Sequence, residues 1–418
     1  MEHLAVWAAT GLAAKILADV LRRAYGFDMP GRIASARRSI ETDLAYVLAF
    51  GLALLVVRQI GLDAALLIAI VLRASALVAD RVVLPGNHSY LELYLAAVCL
   101  RLHETPVVLA SVLQVAAVAV WILSAYQKVY QREYINGTYY YLTLRSEGWR
   151  LGKWTSFVRE VPKVQGDYGR IDPAALVFCR WMAVVVLLGE TVPPILAFTL
   201  SGTIWSVLLL LAVALPVGLS SKETNFMITN LLLAAVFLVP FEAQAFRAGL
   251  GDPVVAVVVG LCALWPVIHA ALARHLRVSS WKLAGWGMYA MHKPRVHIVV
   301  PGGEMLPLRG AIPARIVLEF GACRIGWVRD AIRRYFFRWD FKEPAAGLAF
   351  RWYRLDGDRY VTTCVLVQNT ACAPVQTFEI ADEASAAAFA RQLASLSQAP
   401  EPAPVLVPRG SVAAAPSF

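Results

Sequence analysis

Long apolar stretches recur along this chain, and they constrain its fold more than any motif does. A helix needs about 20 mostly apolar residues to cross about 30 Å of hydrocarbon. Stretches near that length lie at roughly 44–60, 62–80, 90–103, 106–126, 175–199, 203–221, 224–241 and 254–273. A weaker one, 4–21, carries Lys15 and Asp19 four residues apart on one helix face, where they can pair. That segment either spans the bilayer or lies at its interface. Composition agrees: 59% of the 418 residues are hydrophobic and 16% are charged, against about 25% charged in soluble domains. An ordinary soluble enzyme and a disordered chain are thereby excluded. Six cysteines in this length set no disulfide framework. The expected fold is an all-α polytopic membrane bundle of about 8–9 transmembrane helices with a small C-terminal α+β domain.

The polar segments divide the chain. Residues 1–43 read as an N-terminal helix and basic loop, and 44–273 as the helix bundle, interrupted by a long polar loop at 127–174. Residues 274–398 read as the α+β domain and the Pro/Ala-rich 399–418 as a disordered tail. The formal charge of +10 is read first as topology. Arg22, Arg23, Arg32, Arg37 and Arg38 form one basic region; the 127–174 loop and the segment after 273 form two more. Four candidate spans separate each from the next, so all three fall on one side, and the positive-inside bias makes that side cytoplasmic. Tight outer hairpins are expected near 61, 104 and 201, with a larger outer loop at 242–252. The localisation expected is therefore the plasma membrane of a prokaryote with a cytoplasmic C-terminal domain. The partners expected are the lipid bilayer and, through the basic tail, anionic lipid or a partner protein; no nucleic acid is expected.

In the tail, Val296–Val300 and Arg315–Phe320 read as strands. Phe350–Leu355 and Tyr360–Gln368 read as a hairpin around Asp356-Gly357-Asp358, because Asp-Gly suits a tight turn. Ile325, Val328, Ile332, Phe336 and Trp339 fall at helical spacing on an arginine-decorated helix, and 383–396 is a second, Ala-rich helix.

Charges inside spans cost about 2.5–3.5 kcal/mol at mid-helix, so each needs a reason. Glu190 is the sharpest case: it sits near the middle of 175–199, just before Pro193-Pro194. A proline pair is expected to break the helix and free backbone carbonyls. A carboxylate there reads as a proton or ligand site, or as half of a structural ion pair. Arg180 lies nearer the cytoplasmic end and reads as a snorkelling residue at the edge of that pocket. Arg73 and Arg101 are buried-charge candidates of the same kind, Arg101 standing close to His103 and Glu104. Asn225 and Asn230, with Thr224 and Thr229, either line a polar pocket or join helices by hydrogen bonds. Lys128, at the end of 106–126, reads as a boundary anchor or as a base desolvated at a helix end. No metal site is expected: no Cys-x-x-Cys occurs, and neither His269 and His275 nor His292 and His297 share a helix face. The cofactor is unknown at this stage. Cys364 and Cys372 flank a strand end and can pair only in an oxidising compartment.

The order of short elements resembles one family. Ser124-Ala125-Tyr126-Gln127-Lys128, followed by Tyr134-Ile135-Asn136-Gly137-Thr138, resembles the span ending in lysine and then aromatic-x-x-Gly of the HTTM (horizontally transferred transmembrane) family. The vitamin K-dependent gamma-glutamyl carboxylase is its eukaryotic relative. Glu190-Thr191-Val192-Pro193-Pro194 is similar to that family's acidic-x-x-Pro element, and Asn225–Ala234 to its Phe/Met and Leu-Ala span. Trp286-Gly287-Met288-Tyr289 resembles its Trp-x-Met-aromatic element. The resemblance implies a helix bundle with an exoplasmic modifying site in which a lysine, at or one residue from Lys128, is a base toward a reduced quinone. Two positions depart from the pattern: Gly218-Leu219-Ser220-Ser221 stands where the family has a histidine, and Val129 stands where the carboxylase has a second lysine. Two functions are expected on these grounds. One is an HTTM-like modifying enzyme, quinone- or lipid-linked, with Lys128 and Glu190 catalytic and Arg101, Arg180, Asn225 and Asn230 around the pocket. The other is a non-enzymatic membrane scaffold or accessory subunit that binds a partner or anionic lipid through its basic C-terminal domain.

Overall fold

The computed structural model describes residues 3–24, 38–79, 87–130, 134–141, 168–221, 224–268, 271, 295–299, 303–307, 347–368 and 376–396. The Arg315–Phe320 strand, the arginine helix after 324, most of the basic loops, the 286–289 element, Cys372 and the 399–418 tail lie outside the described residues. The protein is mostly helical with one small sheet. The helices are α1 (His3–Ala24), α2 (Arg38–Ile60), α3 (Leu62–Ala79), α4 (Asn87–Leu102) and α5 (Pro106–Tyr130). They continue with α6 (Pro173–Thr199), α7 (Ile204–Ser221), α8 (Thr224–Val236), α9 (Ala243–Gly249), α10 (Pro253–Ala263) and, in the tail, α11 (Glu383–Leu396). Among the described residues α5 and α6 are long and apolar enough to cross a membrane, and α9 with Pro253–Ile268 makes a third such unit if the pair, bent by 109°, is one span. Among the described residues, Val47–Ile60, Ile204–Pro216 and Met227–Val236 are shorter apolar helices.

Tight turns gather at one end of the bundle, where the sequence places its outer hairpins. Gly61, at φ +85°, joins α2 to α3, and Gly202, at φ +87°, joins α6 to α7. A side chain at Gly202 would stand 2.8 Å from the Pro240 ring, so that turn needs glycine for space as well as for φ. The apolar run 224–241 is expected to be one helix, yet α8 stops at Val236. The reason is local. Pro240 cannot continue a helix, and other elements take the freed carbonyls: Gln114 Nε2 donates to Val236 O (3.0 Å) and Val239 O (2.7 Å). Gly202 N (2.8 Å) and Ser206 Oγ (2.9 Å) both donate to Phe237 O. Arg101 and Asp252 pair at the same end at 2.8 Å, as do His103 and Asp63 at 3.1 Å.

Pro193 and Pro194 do not break α6, which runs through them to Thr199. Lacking N–H groups, they leave the carbonyls of Gly189 and Glu190 without their usual intrahelical donors. The expected freeing of carbonyls holds; the expected break does not.

Helix α1 lies at the centre of the bundle and packs against α2, α3, α4, α5 and α8. Ala5, Ala9, Ala13 and Ala14 are fully buried there. Small side chains permit close approach: Leu232 of α8 fits against Gly11, where an added Cβ would stand 2.5 Å from its methyl.

The sheet is antiparallel, in the order β1-β5-β4-β2-β3 with β6 also on β5. Its strands are β1 (Gly169–Arg170), β2 (Arg295–Val299), β3 (Met305–Pro307), β4 (Gly347–Asp356), β5 (Arg359–Gln368) and β6 (Gln376–Ile380). The expected β4–β5 hairpin forms with Asp356 opposite Arg359 and Gly357 at φ +59° in the two-residue turn. Phe389 and Leu393 of α11 pack over Val299, Ala349, Cys364 and Ile380. Burial pushes the Cys364 thiol up to about 12, so it behaves as a small hydrophobe. Strand β1 belongs to the long loop before α6 but pairs with β5, so that loop and the tail meet at one end of the molecule.

Candidate acid–base site

Lys128 stands one turn from Ser124 on the face of α5 that meets α6, and each helix brings one charge to that contact. Lys128 Nζ donates to Glu190 Oε1 at 2.5 Å, contacts Glu190 Oε2 as well, and donates to Ser124 Oγ at 3.1 Å. The three ammonium hydrogens thus have three acceptors. Lys128 is 1% exposed and Glu190 4%, so the pair is shut away from solvent. Tyr134 covers it, with the ammonium 5.5 Å from its ring centroid, within cation–π range.

The loop after α5 forms this cover. Tyr134 and Tyr140 share a hydrogen bond between hydroxyls at 2.6 Å, and the ring of Tyr139 stacks on Tyr134 at 5.5 Å. Burial raises both phenols above the ordinary tyrosine value, with the nearby Glu190 carboxylate adding to the effect. Both therefore remain protonated, and one hydroxyl donates to the other. The turn is held on α6 by Arg180, whose Nε donates to Asn136 O at 3.0 Å. Gly137 is required there: its φ is +78°, and an added Cβ would stand 2.8 Å from the backbone nitrogen of Arg180. Asn136 Oδ1 accepts from Thr138 N at 3.0 Å, so this side chain closes its own turn. Asp172 caps α6 by accepting from Ala174 N (3.0 Å) and Ala175 N (3.3 Å), and its own N–H donates to Tyr141 Oη at 2.9 Å.

The tail sheet completes the layer. Tyr360 of β5 is buried in one cluster with Tyr134, Tyr139, Tyr140, Tyr141 and Cys179. It lies over Gly169, where a Cβ would stand 2.6 Å from the phenol oxygen. Ile171 N donates to Asp358 O at 2.9 Å, which fixes the hairpin tip beside the start of α6.

The structure brings together Lys128 and Glu190 and separates the other candidates. Arg180 is exposed and serves the Asn136 turn. Arg101 is 55% exposed and pairs with Asp252 among the tight turns. Asn230 is buried on α8, a helix that packs on α1, α5, α7. Asn225 lies in the first turn of α8, and its side chain is outside the described ones.

A second buried charge group was only half legible. Lys15 of α1 pairs with Glu92 of α4, and Arg73 of α3 pairs with both Glu92 and Asp19, the latter at 2.6 Å. Lys15 and Asp19 thus find partners on other helices. Glu92 escapes sequence reasoning because it stands two residues into the 90–103 stretch, where an acid looks like a boundary charge. Arg73 in an apolar run was the available signal that a buried acid must exist elsewhere. Among the described residues no three His, Cys, Asp or Glu side chains gather to hold a metal ion. No family model matches the chain, and neither a curated protein nor a solved structure matches it.

Proposed function

We propose that this chain is a multi-pass membrane enzyme of about eight or nine crossing helices, with Lys128 and Glu190 as its acid–base centre. The bundle's inside-out chemistry supports the membrane reading. Large apolar side chains such as Leu52, Leu67, Trp181, Val185, Ile204 and Val257 are exposed, while Lys15, Arg73, Glu92, Lys128 and Glu190 are buried. Water disfavours that arrangement and lipid favours it. On the charge bias, the loop before α6 and the tail lie on the cytoplasmic side of a prokaryotic plasma membrane. The short motifs around Lys128, Glu190 and Asn225–Ala234 make HTTM-like modification, quinone- or lipid-linked, the reaction class we favour, with the site at the cytoplasmic end of the bundle rather than on the exoplasmic side that the resemblance implies.

One observation carries the catalytic reading: two residues singled out separately, 62 positions apart, share a hydrogen bond of 2.5 Å in a closed site. A proton moved from Nζ to Oε1 leaves a free amine beside a neutral acid with no change in net charge. The amine is then a base, and the acid can return the proton. Ser124 and Tyr134 hold Nζ in place during both steps.

The test compares membrane lipids and peptides, by mass spectrometry, from cells making the wild type, Lys128→Met or Glu190→Gln. A product mass present only with the wild type, at equal amounts of folded protein, supports the enzyme. Identical profiles sink it and favour the second reading, a scaffold whose basic tail docks a partner or anionic lipid. The closed state of the ion pair is the observation on that side.

A further inference from the structure

The quartet Lys15, Asp19, Arg73 and Glu92 is the one group of buried charges, among the described residues, that the proposed acid–base site does not use. We propose that α1 crosses the bilayer as the innermost helix of the bundle, and that this quartet is the interlock that carries it in and sets its depth. The proposal rests on the membrane reading above.

Alone, α1 is a poor span, because Lys15 and Asp19 stand within its apolar stretch and each is expensive in hydrocarbon. Its surroundings change that. Five helices pack against it, and Ala5, Ala9, Ala13, Ile16 and Ala18 are fully buried, so most of its surface meets protein. A helix wrapped by other helices needs small residues for close approach more than it needs lipid-soluble ones. The charges then find exact counterparts. Two cations meet two carboxylates, with Glu92 shared between Lys15 and Arg73, and the group has no net charge. Lys15 and Asp19 lie one turn apart on α1. A one-residue shift in register, in which residue 14 or 16 takes the place of Lys15, turns both away from α3 and α4 by about 100°. Register and depth are therefore specified by the same contacts.

Direction follows as well. Arg101 of α4 and the start of α3 lie among the tight turns, and Glu92 and Arg73 lie two to three turns from them. Asp19 pairs with Arg73 in that far half, so the start of α1 points toward the tight-turn end. Trp7, exposed near that start, belongs on the same side as α9.

The test is a charge exchange in the full-length chain in detergent. Lys15→Glu and Glu92→Lys alone should each lower the unfolding midpoint by about 10 °C, and the double exchange should recover at least half of that loss. Harmless single reversals, or a double exchange whose losses simply add, overturn the interlock. Should either reversal yield no folded protein, Lys15→Met and Glu92→Gln replace them, with the double variant expected to be more stable than either single one. Sidedness is read in intact cells with an impermeant thiol reagent on Trp7→Cys and Gln244→Cys. Labelling from the same side supports the crossing; labelling of position 7 from the side that labels a Glu379→Cys tail overturns it. Release of the wild-type chain by alkaline carbonate sinks the membrane reading and the crossing with it, while the exchange still decides the interlock.

Discussion

Among the described residues the bundle holds two groups of buried charges, and they differ in what surrounds them. The quartet of α1, α3 and α4 is packed among alanines and leucines, and its charges satisfy one another. The Lys128–Glu190 pair is a single cation and a single acid, with the Ser124 hydroxyl bonded to the ammonium and the Tyr134 ring over it, its own hydroxyl bonded to Tyr140. The loop and the β4–β5 hairpin then close over the tyrosines. Charges that only hold helices together need no such cover. A lone lysine–carboxylate pair that is also bonded to a hydroxyl and lies under a tyrosine ring has the parts to exchange a proton. The contrast suggests structure for the first group and chemistry for the second.

Substitutions can break that contrast. The largest effect is expected at Arg73. Arg73→Met leaves Asp19 and Glu92 facing each other without their shared cation, and loss of one partner from a buried pair costs about 3–5 kcal/mol. Chemical unfolding of the purified protein reads this directly. Glu190→Ala should cost slightly less, about 3 kcal/mol, because Ser124 and the Tyr134 ring still serve the ammonium. The informative variant is Lys128→Met with Glu190→Leu, which should regain most of that stability. If the double variant is stable and every product of the wild type disappears, the pair is chemical. If it is stable and cells are unchanged, the pair is only a clasp.

The cover is tested at Gly137. Alanine there must adopt positive φ and push on the Arg180 backbone, which should cost about 2–3 kcal/mol. Gly51 of α2 is the control, since nothing lies within 4 Å of an added Cβ. Gly51→Ala should be neutral or stabilising by up to about 1 kcal/mol. Similar losses at both positions would mean that the turn is not seated on α6.

What the sequence made legible tracks how local each signal is. The β4–β5 hairpin and α11 follow from turn chemistry and short periodicities, and both form where expected. Lys128 and Glu190 stood out because a charge in an apolar run is costly wherever it sits. Their pairing was not legible, since it depends on α5 and α6 meeting in space. Glu92 was lost for the same reason, its meaning coming only from Lys15 and Arg73 on other helices. Helix α1 reads as weak because apolarity measures fitness for lipid, and this helix meets protein. The early end of α8 required Gln114, more than a hundred residues upstream, to accept the role of capping its carbonyl groups.

The smallest expected effect lies at the opposite end from the acid–base site, at Arg101 and Asp252. Asp252 caps α10 by accepting from Val254 N (2.8 Å) and Val255 N (3.2 Å), and Arg101 Nε donates to it at 2.8 Å. The hydrogen bond from Arg101, first among these causes, holds its carboxyl below the ordinary value of 3.8. A lowered carboxyl favours the folded state above that ordinary value, and the benefit disappears as pH falls through the lowered one. The wild-type unfolding midpoint should therefore drop more steeply than that of Arg101→Gln between about pH 4 and pH 2. Near pH 6 the two should differ by only a degree or two, because Arg101 is 55% exposed and solvent screens the pair. Parallel curves across the acid range would mean that the α4–α10 clasp does not form.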